Sequence, residues 1–110
     1  MLSRLGANLN LQIISGFTCL HIAANLKNER EMLETTKTLI QRGVELDIQD
    51  FIDKTALCYA TIRKNTVLVK VLIGAGANVN IGPRQEKPLW RALRYGSKKL
   101  IRALQEAGAN

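Results

Sequence analysis

The chain has 110 residues, 46% apolar and 23% charged, which suits one folded domain and is too apolar for a disordered segment. Its net charge is +7, and the excess sits at one end, where residues 82–110 carry Arg84, Lys87, Arg91, Arg94, Lys98, Lys99 and Arg102 against Glu86 and Glu106. No apolar run approaches the ~18–20 residues of a membrane-spanning helix, no basic start with an apolar stretch and small-residue cleavage site marks a secretory signal, and two cysteines, Cys19 and Cys58, are too few for a disulfide scaffold.

Met1-Leu2-Ser3-Arg4-Leu5 reads as the last turn of a helix that Gly6 terminates, because glycine adopts the left-handed conformation of a helix end without strain. Ile13 and Ile14 follow in a first hairpin. Thr18 suits the start of the next helical segment, where its hydroxyl can cap free N–H groups. Asn28 with Glu31 has the spacing of a capping pair, so a second helix is expected over residues 29–42, closed by Gly43. Asp50-Phe51-Ile52-Asp53 predicts a β-turn or short extended hairpin. Thr55 starts a helix expected over residues 56–63, Lys64-Asn65 form a turn, and a further helix covers residues 66–74. That helix holds Val67, Leu68, Val69, Val71, Leu72 and Ile73, so it is apolar on nearly every side and must be covered on nearly every side. Gly76 follows it. Gly82-Pro83 marks an irregular tip, Pro88 fits the first turn of its helix, where its missing N–H costs nothing, and Gly108 closes the last helix.

Two ladders run through these elements. The glycines Gly6, Gly43, Gly76 and Gly108, each followed by a short polar-apolar stretch, are 37, 33 and 32 residues apart. Leu20, Leu57 and Leu89, inside Thr18-Cys19-Leu20-His21-Ile22-Ala23, Thr55-Ala56-Leu57-Cys58-Tyr59-Ala60 and Lys87-Pro88-Leu89-Trp90-Arg91-Ala92, are 37 and 32 apart. At these residues the chain resembles the ankyrin repeat family, whose unit of about 33 residues joins a β-turn to two helices and carries a T-P-L-H-x-A signature. The first segment matches that signature at all but its proline; the second keeps Thr, Leu and Ala, the third Pro, Leu and Ala.

The resemblance implies an all-α ankyrin repeat solenoid of stacked helix-turn-helix units joined by β-turn or hairpin loops. It covers residues 1–110 as one domain: 1–15 the end of a preceding partial repeat and a hairpin, 16–48 repeat 1 with a helical part four residues longer, 49–81 repeat 2, and 82–110 repeat 3. Ile22 and Tyr59 align with Arg91, Val67 with Lys99, and Ile73 with Gln105. Apolar positions thus turn polar in the last unit, as in a C-terminal cap. The apolar N-terminal face of the first unit is expected to meet further repeats or another chain, so the sequence reads as a fragment or a short array.

Little in the sequence supports chemistry. The resemblance gives His21 a structural role, hydrogen-bonded back to Thr18. Cys19 and Cys58 fall at different phases of the motif and, with one histidine, do not make a metal set. Gly74-Ala75-Gly76-Ala77 follows a helix and lacks a Lys-Ser/Thr ending, so it is not a phosphate loop. Glu45, Asp47, Asp50 and Asp53 lack the spacing of a calcium loop and read as solvated turn residues. No catalytic residue, cofactor, metal or small-molecule substrate is expected.

The resemblance implies a protein-interaction module that binds through hairpin tips and the exposed side of the first helices. Carried onto this chain, the candidate positions are Ile14, Phe17, Gln49, Phe51, Ile52, Lys54, Arg63, Arg84, Arg94 and Tyr95, and the motif positions are Thr18, His21, Gly6, Gly43, Gly76 and Gly108. Phe17, Phe51 and Ile52, with Ile14, either form a contiguous apolar patch or pack back onto neighbouring hairpins. The basic end favours an acidic partner. A nucleic-acid target is the alternative, and the absence of aromatic stacking platforms and of any groove-reading motif weighs against it. Reduced thiols fit an intracellular setting, cytoplasmic or nuclear.

Overall fold

The computed structural model describes residues 11–13 and 15–109. The expectations for the helix end and Gly6 in the first ten residues, for Ile14 and for Asn110 lie outside the described residues. Six helices form among the rest, α1 (Cys19–Ala24), α2 (Glu29–Gln41), α3 (Ala56–Ile62), α4 (Thr66–Gly74), α5 (Pro88–Tyr95) and α6 (Lys98–Glu106), and no strand. α2, α3 and α4 lie within a residue of their expected bounds, and α1 and α5 begin where Thr18 and Pro88 led one to expect.

Local chemistry accounts for the boundaries. The side chains of Asn28, Thr55, Asn65 and Ser97 accept a hydrogen bond from the backbone N–H three residues on, at the starts of α2, α3, α4 and α6. Pro88 opens α5. Gly43, Gly76 and Gly108 take φ of 81°, 102° and 93° after the helices they follow, as the ladder predicts.

α1 packs on α2, α3 on α4 and α5 on α6, and these pairs stack with α1 against α3, α3 against α5 and α4 against α6. The result is elongated, 40 × 26 × 24 Å. The aligned leucines make the core: Leu20, Leu57 and Leu89 along the first helices, Leu39, Leu72 and Leu104 along the second. Small residues (Ala23, Ala60 and Ala92) sit between them, so helices approach closely.

α4 departs from expectation. Leu68, Val69 and Leu72 are buried, but Val67 is 56% exposed. The helix is covered by α3 and α6 and by the polar cap Asn65, whose Nδ2 lies 3.2 Å from Met32 Sδ of the preceding repeat, and its outer flank faces water.

Candidate functional site

The face expected to bind is built on hydrogen-bonded turns. Within the second hairpin, Asp50 N–H donates to the Lys54 carbonyl and Asp53 N–H to the Asp50 carbonyl. The Asp50 carboxylate accepts from the N–H groups of Ile52 (3.0 Å) and Lys54 (2.9 Å) through Oδ1, and from the Tyr59 hydroxyl through Oδ2. Asp50 is only 4% exposed. It is therefore not the solvated turn residue that its position among Glu45, Asp47 and Asp53 suggests; it organises the tip. The signal that could have found it is an Asp opening a tight turn, where its carboxylate meets backbone donors two and four residues on.

The next layer inward joins one repeat to the next. Thr18 N–H donates to His21 Nδ1 at 3.0 Å, and His21 Nε2 is 2.8 Å from the Lys54 carbonyl oxygen. A carbonyl only accepts, so Nε2 carries the proton and Nδ1 receives. The Thr18 partnership matches the expected role; the bond to Lys54 crosses to the following hairpin and has no trace in a single-repeat motif. In repeat 2 the thiol of Cys58 replaces the imidazole, 3.4 Å from Thr55 Oγ1 and donating to the Ile81 carbonyl at 3.4 Å.

Phe17 packs inward, which answers one open reading. Its ring stacks on His21 with centroids 5.3 Å apart and meets Tyr59 edge-on at 5.5 Å. Tyr59 thus faces the preceding repeat. The aligned row Ile22, Tyr59, Arg91 reports that backward contact, and Arg91 says nothing about the outward face of repeat 3. Ile22, with Leu11, Ile13, Cys19 and Leu26, lines an apolar groove of about 470 Å³ on the N-terminal side of repeat 1.

Phe51 and Ile52 remain at the tip, 70% and 59% exposed. Phe51 N–H donates to the Ser15 carbonyl at 3.1 Å and its ring lies over Gly16, where a Cβ would come within 2.6 Å of Phe51 Cδ1. Gly16 also has φ of 83°, so both space and backbone demand glycine there. Gln12 Nε2 donates to the Gly16 and Gln49 carbonyls, and Gln49 Nε2 to the Asp53 carbonyl. Lys54 Nζ lies 5.6 Å from the centre of the Tyr59 ring. Arg63 is tied to the preceding repeat through Asn25, by Nε to Oδ1 at 3.1 Å and Nη2 to the carbonyl at 3.2 Å. In repeat 3, Arg91 lies over the Tyr95 ring at 4.6 Å and pairs with Glu86 at 3.3 Å, leaving Arg84 and Arg94 exposed. The expected apolar patch is thus divided: Phe51 and Ile52 point outward, while Phe17 packs between the repeats.

Two groups here titrate abnormally. Burial pushes the Cys58 thiol above its ordinary value of 9.0, and burial followed by the Asp50 carboxylate pushes the Tyr59 phenol above 10.0. The folded state holds both protons more tightly than the unfolded state does. Stability from this source is complete below pH 9 and falls as pH rises past 9 and 10, where the unfolded chain ionises first. The melting temperature should be flat from neutral pH to that point and decline beyond it. Tyr59→Phe should start lower, having lost its bond to Asp50, and decline less steeply; an equally steep decline would remove Tyr59 from the account.

Among the described residues no three His, Cys, Asp or Glu side chains gather as a metal set, and no helix is long and apolar enough to cross a membrane.

The comparisons with known proteins fit this geometry. A family profile described as "Ankyrin repeats (3 copies)" matches residues 20–110. An ankyrin repeat domain from Acinetobacter baumannii superposes with a TM-score of 0.81 at 32% identity, over 93% of this chain and 53% of that one. Among curated sequences, an L-asparaginase from Dirofilaria immitis is 29% identical over 96% of this chain, and the E3 ubiquitin-protein ligase KEG of Arabidopsis thaliana 33% identical over 84%. The chain spans only 17% and 6% of those two proteins, so the similarity concerns a repeat region within much longer sequences.

Proposed function

The chain belongs to the ankyrin repeat family, and from that premise we propose that it is a non-catalytic module that binds a partner protein through its hairpin tips and the concave side of its first helices. Ankyrin repeats are in general protein-interaction modules. The observation that carries the finer reading is the tip of repeat 2: Phe51 and Ile52 stand exposed on a turn whose backbone is pinned by Asp50 and by Ser15 of the neighbouring hairpin. A turn has no folding need for two large apolar side chains, and rigid apolar groups are the kind of anchors in which binding energy concentrates. The N-terminal apolar groove would pack against a further repeat or another chain. As part of the same proposal the module works in a cytoplasmic or nuclear setting, which its two unbridged cysteines would suit.

Phe51→Ser with Ile52→Ser tests the reading. The double variant should keep its stability within about 1 kcal/mol, since exposed positions contribute little, and should lose capture of the partner that the parent chain retains in an affinity pull-down. A fall of several degrees in melting temperature would place both side chains in the core. The alternative, a nucleic acid or other acidic polymer on the basic repeat, predicts salt-sensitive retention on heparin.

A further inference from the structure

The outward face of α5 differs in kind from the faces that join the repeats. Along the first helices two rows align from repeat to repeat, His21, Cys58 and Trp90, and Ala24, Thr61 and Leu93, and the first of them meets the following repeat, His21 at Lys54 and Cys58 beside Gly82. His21 reaches the Lys54 carbonyl and Cys58 the Ile81 carbonyl, and His21, Ala24, Cys58 and Thr61 are all buried. In repeat 3 the same two rows carry far larger groups, with Trp90 54% and Leu93 58% exposed. A third row along the second helices runs Thr36, Val69 and Ile101, buried in the first two repeats and half-buried in the last.

These three outward positions therefore do not follow the polar substitutions of Arg91, Lys99 and Gln105. Nor do they repeat the smaller groups that stand at these positions in the first two repeats. Compact side chains at the first two rows let one first helix close on the next, whereas an indole and an isobutyl group would hold a neighbouring helix off by a side chain's width. Between them lies a cleft of about 410 Å³ lined by Gln85, Trp90, Leu93 and Arg94. Arg94, and Arg84 next in sequence to the lining residue Gln85, have no ion-pair partner among the described residues, and residues 82–110 carry the basic excess.

We infer that this cleft binds an acidic segment of a partner protein, seating an apolar side chain against Trp90 and Leu93 while flanking carboxylates meet Arg94 and Arg84. The apolar walls call for an apolar group, and the unpaired guanidiniums select its flanks: arginine forks carboxylates with two parallel hydrogen bonds, and a single-sign rim repels basic sequences. The surface is separate from the Phe51–Ile52 tip and stands whether or not that tip binds.

Trp90 is the sole tryptophan of the chain, so its emission reports this cleft alone. The probe is a short synthetic peptide with a Leu-Leu pair set among glutamates. On titration it should shift Trp90 emission to the blue and shield it from acrylamide, saturably. Arg84→Glu with Arg94→Glu should weaken that response at least about tenfold. Lys27→Glu with Lys37→Glu, an equal loss of charge on exposed positions of repeat 1, should leave it unchanged. Leu93→Thr, which installs the residue that repeat 2 tolerates at Thr61, should weaken it without loss of fold. An emission indifferent to the peptide overturns the inference, as does an equal response to the same peptide with lysines for glutamates or equal weakening by the two charge variants. A response to oligothymidylate but not to the peptide would assign the cleft to nucleic acid. A blue shift that grows with the protein's own concentration would assign it to a second copy.

Discussion

Asp50→Ala should lower stability by about 3 kcal/mol, on the order of 15 °C in melting temperature for a domain of this size. The carboxylate accepts from two backbone N–H groups and a phenol while only 4% exposed. Removing it strands three donors, and bonds to a charged acceptor are the stronger kind. Asp50→Asn keeps an acceptor at Oδ1 and should recover much of the loss. If the alanine variant melts within a few degrees of the parent, the tip is held by backbone bonds alone. The same variant loosens the turn that presents Phe51 and Ile52, so partner capture should weaken while the helical content of the folded chain stays intact.

His21→Ala should cost a similar amount, about 3–4 kcal/mol. The ring receives the Thr18 N–H and donates to the Lys54 carbonyl, and its faces meet Phe17 and Tyr59. Two orphaned polar groups cost roughly 1–3 kcal/mol each, and the space left between two aromatic rings adds a cavity term. Chemical denaturation is the measurement, and a loss under about 1 kcal/mol would mean that the ring is not a stitch between repeats. Asp50 and His21 hold opposite sides of one residue, since Lys54 gives its N–H to the first and its carbonyl to the second. The double variant should therefore lose less than the two singles added together.

The period, the caps at Asn28 and Thr55 and the three glycine terminators inside the described residues were legible because each is a local event: a side chain meeting a backbone group three residues on, or a left-handed residue after an apolar run; the caps at Asn65 and Ser97 went unread. The core leucines were legible because the two ladders set them in register. What escaped depended on packing between elements, within a repeat or across two. Asp50 looks like any turn carboxylate until Tyr59 closes over it, and Phe17 looks like a tip residue until His21 and Tyr59 supply a place for its ring. Tyr59 points toward the preceding repeat, so polarity at its aligned position Arg91 could not describe the outward face. Trp90 and Leu93 hold that information, and their contrast with Cys58 and Thr61 appears only once the facing direction of each row is known. Val67 was expected to be covered because α4 is apolar all round, yet a stacked pair of layers leaves the far flank of a second helix bare.

The ties between repeats have one more consequence, for the order in which the chain assembles. Gln12 to Gln49, His21 to Lys54, Arg63 to Asn25 and Asn65 to Met32 all join residues 33–38 positions apart. Nothing requires distant termini to meet before the first favourable contact forms, so the entropic barrier to collapse is small and rapid acquisition of structure is expected. The central hairpin pair has partners on both flanks and is the natural nucleus, from which order spreads to either end one unit at a time.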